Sequence, residues 1–158
     1  MAEFFLPLQT RKTSNPEKND KMPEKKNVLP QLHLELIPMR LVIHNMLTCN
    51  VKTCQTNNFP LKIVASAIDY VESEYNHEYI VNLLPKLEWN ALVEAAKDVN
   101  ANIPSTFPEN PSEEFLRNLY KLLHNVHIIE GSLKCPNCHR QFPITRGIPN
   151  MLLNENEI

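Results

Sequence analysis

The sequence predicts an α+β protein in which a small β domain, formed by both ends of one segment, surrounds a central helical insert. Three observations lead to this prediction. The four cysteines of the chain form two close pairs, Cys49 with Cys54 and Cys135 with Cys138. Short apolar runs that contain β-branched residues flank both pairs. Between the pairs, apolar positions recur at intervals of three and four residues, as they do in amphipathic helices.

Residues 1–38 are predicted to be a disordered extension. This stretch holds five of the thirteen prolines of the chain and is otherwise rich in Lys, Asn and Glu. Such a composition offers too little apolar surface to offset the entropy that is lost on ordering. Apolar residues become dense from Met39 onward, and the folded part is expected to begin there.

Residues 39–64 are predicted to form the first part of the β domain. The stretch Met39–Leu47 is largely apolar and indicates a buried first strand that leads into Cys49. A polar loop follows the first cysteine pair. Beyond it, residues 59–64 are predicted to form a second strand, with Pro60 near an edge because proline cannot donate to a ladder.

Residues 65–126 are predicted to be the helical insert. Apolar positions from His77 to Val99 follow the helical period, and Pro85 indicates a break because proline lacks an amide donor and clashes with the preceding turn. A proline-rich connection comes next. Ser112 then caps the most clearly amphipathic helix, whose first turn is acidic, as the helix dipole favours. Its apolar stripe consists of Phe115, Leu116, Leu119, Leu122, Leu123 and Val126.

Residues 127–158 are predicted to complete the β domain. The β-branched residues and the glycine predict a strand over residues 127–129, a turn at Gly131-Ser132 and a short strand that leads into Cys135. Beyond the second cysteine pair, the apolar run that ends at Leu153 predicts two short strands on either side of a turn at Gly147.

The spacing of the cysteines predicts a structural zinc site. Two thiols separated by two or four residues can reach one ion from a single turn, and two such turns complete the tetrahedral sphere that structural Zn²⁺ prefers. A closed set of four thiolates leaves no position for a reactive water, which argues against a catalytic site. His139 is an alternative to one of the thiols. The predicted ligands are Cys49, Cys54, Cys135 and Cys138.

Two other uses of the cysteines are less consistent with the sequence. Disulfides are typical of secreted proteins, but the first residues lack the basic start and the apolar run of a signal peptide. A redox pair would place Cys135 and Cys138 at a helix N-terminus, where the sequence predicts strands, and it would leave the other two cysteines unexplained. We therefore expect a reducing, aqueous compartment.

The charge distribution argues against direct binding of nucleic acid. Residues 1–38 carry six Lys or Arg and five Asp or Glu, which leaves 10 basic and 13 acidic residues, a net charge of −3, in the rest of the chain. Nucleic-acid affinity depends mainly on clustered Lys and Arg. No stretch approaches the roughly 18 consecutive apolar residues of a transmembrane helix. We expect RNA contact only through a partner and no membrane association.

Two stretches near the end of the chain form a pattern more specific than the cysteine spacing. They are Glu130-Gly131-x-Leu133-x-Cys135-Pro136-x-Cys138 and Phe142-Pro143-Ile144-x-Arg146-Gly147-Ile148-Pro149-Asn150-Met151-Leu152-Leu153. Three further segments belong with them: Met39-Arg40-Leu41 with His44-Asn45-Met46-Leu47, Phe59-Pro60-Leu61, and Pro85-Lys86-Leu87-Glu88-Trp89 with Glu94-Ala95-Ala96. Over residues 39–158 the chain resembles the eukaryotic multifunctional methyltransferase activator subunit family, a small zinc-binding partner shared by tRNA, rRNA and release-factor methyltransferases.

The resemblance implies a non-catalytic protein that binds S-adenosylmethionine-dependent methyltransferases, keeps them soluble and helps them hold their cofactor. It implies a zinc-ribbon-like β domain with a helical insert, a structural Zn²⁺ ion and no S-adenosylmethionine bound by this chain itself. Several methyltransferase catalytic subunits would bind as mutually exclusive heterodimers, in the cytoplasm and the nucleus. RNA would be reached only through them.

The resemblance also implies that a strand of the activator lies beside the central sheet of its partner. Dense apolar residues near the chain end are consistent with this role, because exposed apolar patches usually mark interaction surfaces and a strand edge offers backbone hydrogen bonds. The predicted interface residues are Met46, Leu47, Phe142, Ile144, Ile148, Met151 and Leu152. The alternative function is a free-standing zinc-ribbon module that binds nucleic acid directly.

Overall fold

The computed structural model describes residues 38–158, so the extension predicted for residues 1–38 lies outside the described residues apart from Pro38. The described part combines a five-stranded antiparallel sheet with four α-helices, which confirms the predicted α+β class. In chain order its elements are β1 (Met39–Arg40), α1 (Leu41–His44), β2 (Lys62–Tyr70), α2 (His77–Leu83), a 3₁₀ turn (Leu84–Lys86), α3 (Trp89–Asp98), α4 (Glu113–Asn125), β3 (Val126–Lys134), β4 (Gln141–Thr145), β5 (Ile148–Pro149) and a second 3₁₀ turn (Glu155–Glu157).

Strand β3 lies at the centre of the sheet. β2 runs antiparallel along one side of it, from Lys62 opposite Lys134 to Tyr70 opposite Val126. On the other side, β1 pairs with the first part of β3 and β4 pairs with the last part, and β5 is added to β4. Since β1 and β2 precede the helical region and β3 to β5 follow it, the sheet is built from both ends of the folded part, as predicted.

The predicted first strand, Met39–Leu47, is wrong beyond Arg40. β1 pairs with β3 at two positions only, and the next position along β3 is its first residue, which directly follows helix α4. A longer β1 would leave backbone N–H and C=O groups without partners, which is costly inside a protein. The chain turns into α1 instead, and this single turn buries Leu41 and His44.

Strands β2 and β3 are both longer than predicted. β2 begins at Lys62, three residues later than predicted, and continues to Tyr70, so it occupies the first residues of the predicted helical insert. β3 passes through Gly131 and Ser132 without the predicted turn. Gly131 has φ +148°, and a Cβ atom there would lie 2.2 Å from the carbonyl oxygen of Val64. The glycine therefore permits the close approach of the two paired backbones. The register of β2 shifts next to this point. Helices α2 to α4 begin only after Tyr70.

The helical predictions beyond β2 are confirmed. A 3₁₀ turn that contains Pro85 separates α2 from α3, as the proline indicates. Ser112 is the N-cap of α4, where its Oγ accepts a hydrogen bond from the N–H of Phe115 at 3.1 Å. None of the helices in residues 38–158 has the length and apolar character needed to cross a membrane.

The apolar core extends without interruption from the helices to the cysteine pairs. Three of the four cysteines are buried and pack in the same cluster as the residues of α3, α4 and the sheet. Burial of such side chains contributes roughly 1.5–3 kcal/mol each before the entropy of ordering is subtracted. The largest fully buried side chains are Phe142, Met39, Leu41, Leu61, Ile80, Leu92, Leu119, Leu122, Leu123, Ile128, Leu133 and Ile144.

His124, near the end of α4, is a buried histidine that stays neutral. Its ring lies between Tyr79 and Tyr120, at centroid distances of 5.2 Å and 4.5 Å. Burial, together with the positive charge of Arg40, lowers the pKa of His124 from 6.5 to about 4. The nearby His127, whose Nε2 lies 3.0 Å from the carbonyl oxygen of His124, also has its pKa lowered, mainly by burial.

The Ser112 cap gives the first prediction. Replacement of Ser112 by Ala leaves the N–H of Phe115 without its partner, and we expect the free energy of unfolding to fall by about 1 kcal/mol. Urea denaturation followed by circular dichroism measures the change. The matched control is Ser105→Ala in the irregular connection before α4. Equal stability of the two variants would contradict the assigned cap.

The lowered pKa of His124 predicts acid sensitivity. Because the folded-state pKa lies below the unfolded value, the unfolded chain takes up the proton first, and the stability that the neutral ring provides is complete above about pH 6.5 and is lost as the pH falls toward 4. We expect the loss of unfolding free energy between pH 7 and pH 4 to be smaller in His124→Gln than in the unaltered protein. The exposed His139, replaced by Asn, is the control. Both variants keep all four cysteines, so titration of the thiols cancels in the comparison. Identical pH profiles for all three proteins would contradict the prediction.

Candidate metal centre

The four cysteine sulfur atoms converge on one point of the structure. All four Sγ atoms lie within 4.8 Å of one another. The Sγ atoms of Cys49 and Cys138 are 3.7 Å apart, and those of Cys54 and Cys135 are 3.6 Å apart. Four sulfurs arranged tetrahedrally at about 2.3 Å from an ion lie about 3.8 Å from one another, whereas a disulfide requires about 2.0 Å. The arrangement fits a four-thiolate metal centre and contains no disulfide.

The first cysteine loop is braced by Asn58. Its Nδ2 donates hydrogen bonds to the carbonyl oxygens of Cys49 at 3.0 Å and Cys54 at 3.3 Å. Its own carbonyl oxygen accepts a hydrogen bond from the N–H of Cys49 at 3.1 Å. The loop also closes on itself, since the N–H of Cys54 donates to the carbonyl oxygen of Val51 at 2.8 Å. One amide side chain thus fixes the backbone that carries both thiols of this pair.

The second cysteine loop connects β3 with β4 and turns tightly. The N–H of Cys135 donates to the carbonyl oxygen of Arg140 at 2.9 Å, and His139 adopts a left-handed backbone conformation with φ +60°. Asn137, between the two cysteines, reaches across and donates its Nδ2 hydrogen to the Sγ of Cys54 at 3.3 Å. Nothing in the local sequence pattern separates Asn58 and Asn137 from other polar loop residues, so only the fold reveals their roles.

The two buried thiols of the first cysteine loop differ in pKa. Burial raises the pKa of Cys49 to about 12. Burial also opposes ionisation of Cys54, but hydrogen bonds from Asn137 and from the neighbouring thiols outweigh it and lower the pKa of Cys54 to about 7. A bound divalent cation would favour the ionised form of all four thiols despite their burial, since coordination deprotonates a thiol outright. The donor set, four soft sulfurs within 4.8 Å of one another, is the one that zinc prefers in structural sites.

The structure brings together all four predicted ligands. Among residues 38–158, the cluster contains only these four candidate ligands, and His139 is not part of it. The second pair lies between two strands and not at the start of a helix, so the geometry that lowers thiol pKa values in redox Cys-x-x-Cys motifs is missing from this loop. That the four thiols bind metal in the cell stays a prediction.

The predicted interface residues are divided between surface and core. Met46, Ile148 and Leu152 are exposed, with 58%, 43% and 79% of their surface accessible. Leu47 and Met151 are partly buried and pack against the core. For these five residues, contact with a partner stays a prediction.

Phe142 and Ile144 require a correction, because their side chains are fully buried in the core. Exposed and buried residues alternate along β4, since successive side chains of a strand point to opposite faces. Both residues point inward and are not available to a partner. The sequence shows only that they are apolar, a property that packing and binding both select.

Two polar residues of the sequence motifs, His44 and Asn45, have structural roles. His44 Nε2 lies 2.6 Å from the carbonyl oxygen of Leu61. Asn45 exchanges two hydrogen bonds with the backbone of Glu88: its Nδ2 donates to the carbonyl oxygen at 3.0 Å, and its Oδ1 accepts from the N–H at 2.9 Å. Both side chains are buried. They join α1 to the start of β2 and to the start of α3, and they thereby position the first cysteine loop.

The chain is similar to known proteins over most of its described length. The profile of the Trm112p-like protein family matches residues 40–147. The relative named "Multifunctional methyltransferase subunit TRM112 homolog A" from Arabidopsis thaliana is 42% identical over 125 residues, which cover 76% of this chain and 100% of the relative. The "TRM112-like protein" subunit of Mus musculus is 43% identical over 122 residues, which cover 75% of this chain and 98% of the relative.

A fungal relative and a solved structure extend the comparison. The Saccharomyces cerevisiae protein "Multifunctional methyltransferase subunit TRM112" is 35% identical over 130 residues, which cover 73% of this chain and 96% of the relative. The solved structure is the E. cuniculi Mtq2–Trm112 complex, responsible for the methylation of the eRF1 translation termination factor. Its matching chain has 17% identity and a TM-score of 0.43, and the match covers 72% of this chain and 95% of that chain.

The metal centre gives the next prediction. Replacement of Cys54 by Ser removes one ligand and breaks the closed set, and we expect metal affinity to fall by more than about 100-fold, beyond the cost of losing an outer partner of a ligand. Elemental analysis of the purified protein should then show one metal ion per unaltered chain and almost none in the variant. His139→Asn, which tolerates the left-handed backbone at this position, should retain the ion. Full metal content in Cys54→Ser would rule out the four-thiolate site.

Proposed function

Because this chain belongs to the Trm112p-like protein family, we propose that it is a non-catalytic activating and stabilising subunit of S-adenosylmethionine-dependent methyltransferases. The relatives' shared name carries the proposal: proteins from plants, animals and fungi that match this chain over 96–100% of their own length are called multifunctional methyltransferase subunits. The methyltransferases that we propose as partners act on tRNA, rRNA and the translation release factor.

We propose zinc as the metal of the four-cysteine cluster. Four thiolates fill the tetrahedral sphere, so the ion has no open position for water or substrate and serves the structure only. Bound there, it would hold the loop after α1 and the loop between β3 and β4 at one distance. The surfaces next to these loops then keep a fixed shape.

The proposed contact surface is formed by β5 and the residues that follow it. β5 is an edge strand of the described sheet, since it pairs with β4 on one side only. Exposed Ile148 on β5 and exposed Leu152 beyond it offer apolar side chains, and an edge strand offers backbone groups to a second sheet. A partner whose sheet ends in an apolar edge would bury both.

The proposed surface would activate a methyltransferase by covering an apolar sheet edge of that enzyme. An exposed apolar edge on a methyltransferase favours aggregation and local opening. A subunit that binds only the folded form stabilises it by mass action, and a cofactor pocket next to the covered edge becomes more ordered. S-adenosylmethionine would therefore be held by the catalytic subunit and not by this chain.

Use of one surface makes the complexes mutually exclusive heterodimers. Each catalytic subunit supplies its own contacts to RNA or protein substrate, so this chain would reach RNA only through a partner. A subunit shared among tRNA, rRNA and release-factor enzymes must be present in both the cytoplasm and the nucleus. We propose both locations on that ground.

The alternative, a free-standing nucleic-acid-binding module, has less support. It requires basic residues that are free to contact phosphates. Arg140, beside the cysteines, is committed to an ion pair with Glu157, and residues 39–158 carry a net charge of −3. Tight binding of the isolated chain to RNA that weakens steeply as salt is added would favour this alternative over the activator hypothesis.

Co-expression with candidate tRNA, rRNA and release-factor methyltransferases from the same organism tests the proposal. We expect Leu152→Asp to weaken the complex at least about tenfold, because it places a charge in a buried apolar contact. Affinity purification and S-adenosylmethionine titration of the purified complex measure the effect. Val81→Asp is the matched control: Val81 is 42% exposed, but it lies on α2, outside the proposed surface.

Two outcomes would count against the proposal. One is that no candidate methyltransferase gains solubility or cofactor affinity from the unaltered chain. The other is that Leu152→Asp and Val81→Asp weaken the complex equally, which would indicate a general loss of folding and not a specific contact.

A further inference from the structure

We propose that Glu157 locks the C-terminal turn onto both cysteine loops, and that the metal-bound loops thereby hold Met151 and Leu152 in position for a partner. This attachment of the C-terminal turn to both cysteine loops, called the lock below, is a property of the isolated chain. Only its last step, the contact with a partner, rests on the function proposed above.

Glu157 contacts the two cysteine loops at once. Its carboxylate forms an ion pair with Arg140, shortly after the second cysteine pair, with Oε1 2.8 Å from Nε. Its backbone carbonyl oxygen accepts a hydrogen bond from the N–H of Lys52 at 2.9 Å, and Lys52 lies inside the first cysteine pair. A single residue near the end of the chain therefore joins the loops that carry all four thiols.

The Glu157–Arg140 ion pair is shielded from solvent. The side chains are 18% and 30% exposed, and the guanidinium carbon also lies 5.5 Å from the ring centre of Phe142. Fully exposed ion pairs contribute little, but a partly buried pair is screened less. By comparison, the Lys97–Glu94 pair on α3 is about two-thirds exposed, at 65% and 61%. The Glu157–Arg140 pair therefore holds the C-terminal turn to the second cysteine loop.

The same carboxylate organises the turn to which it belongs. Its second oxygen, Oε2, accepts a hydrogen bond from the N–H of Asn154 at 2.8 Å. In return, the Asn154 side chain accepts from the backbone N–H of Glu157, which completes a capping box. Such reciprocal bonds fix the start of a helical turn. The turn is thus held together by its own hydrogen bonds, and its contacts with Arg140 and Lys52 fix its position.

The segment before the turn is anchored at both ends. At its start, the N–H of Asn150 donates to the carbonyl oxygen of Pro143 at 2.8 Å; at its end lies Glu157. Between these anchors Met151 and Leu153 pack against the core, whereas Leu152 is exposed. Loss of the end anchor would free Leu152 to move, and a partner would then have to order it on binding, which lowers affinity.

Metal binding and the position of residues 151–157, called the tail below, are coupled through the two cysteine loops. The ion holds the two loops together, and Glu157 holds the tail to a residue of each loop. Release of the ion lets the loops separate and removes the support of the tail. Since coupling between two sites is reciprocal, a partner that holds the tail should also slow the release of the ion.

Amide hydrogen exchange of the isolated, zinc-loaded full chain tests the lock. In Glu157→Ala we expect the amides of residues 151–157 to exchange about fivefold faster than in the unaltered protein, the effect of losing the partly buried ion pair with Arg140 together with the capping-box hydrogen bond from Asn154. Glu155→Ala is the matched control, because Glu155 is an exposed residue of the same type in the same turn. Equal exchange in the two variants would overturn the lock.

Release of zinc to an excess of a coloured chelator tests the coupling. We expect Glu157→Ala to release zinc about fivefold faster than the unaltered protein, and Glu155→Ala to release it at the unaltered rate. All three proteins should start with one ion per chain. Equal release rates would overturn the coupling, even if the tail of Glu157→Ala exchanges faster.

The last step is tested with a co-purified methyltransferase. In the complex, the unaltered chain should release zinc more slowly than it does alone, and Glu157→Ala should lose most of this protection and bind the methyltransferase about fivefold more weakly. Equal affinity of Glu157→Ala and Glu155→Ala would overturn this step. Failure to bind any methyltransferase would overturn the proposed function instead, and the two readouts on the isolated chain would still decide the lock.

Discussion

Four sulfur atoms that meet within 4.8 Å of one another close the folded chain, and the rest of the structure depends on this contact. The first loop follows α1, and the second joins β3 to β4. Because both loops must reach one point, the helices between them return the chain beside its start, where β1 and β2 pair with β3. Closing so long a loop costs entropy, and a metal ion bound to the four thiolates would offset that cost.

The polar residues around the cluster make this closure rigid. Asn58 braces the first loop, Asn137 joins the second loop to a sulfur of the first, and Asn45 ties α1 to the start of α3. Gly147 brings the two ends of the sheet into contact: its carbonyl oxygen accepts from the N–H of Met39 at 2.7 Å. A Cβ at Gly147 would lie 2.5 Å from the Cβ of Pro38, and φ there is +79°, so only glycine fits without strain.

The rigid closure fits the proposed role, in which the chain acts by binding other proteins. Its core is continuous from helices to cysteines, so the surfaces beside the cluster keep one shape. Exposed apolar residues lie at the end of this rigid unit, on β5 and just beyond it. A binding surface that is ordered before it meets a partner loses less entropy on association. The C-terminal turn, which Glu157 ties to both cysteine loops, is part of the same ordered surface.

By itself the sequence determined the features that depend on near neighbours: the cysteine pairs, the break at Pro85, the cap at Ser112 and the apolar stripe of α4. Each is encoded within a few residues, by spacing, propensity or a single donor. Only the tertiary structure decided the features that depend on distant segments. The first strand ends after Arg40 because β3, its partner, has only one residue left there before α4, and β3 continues through Gly131 because it pairs with β2 on both sides of that residue. Apolar character alone did not show that Phe142 and Ile144 point inward while Leu152 points outward, since packing and binding draw on the same side chains and only the folded chain assigns each one to a face.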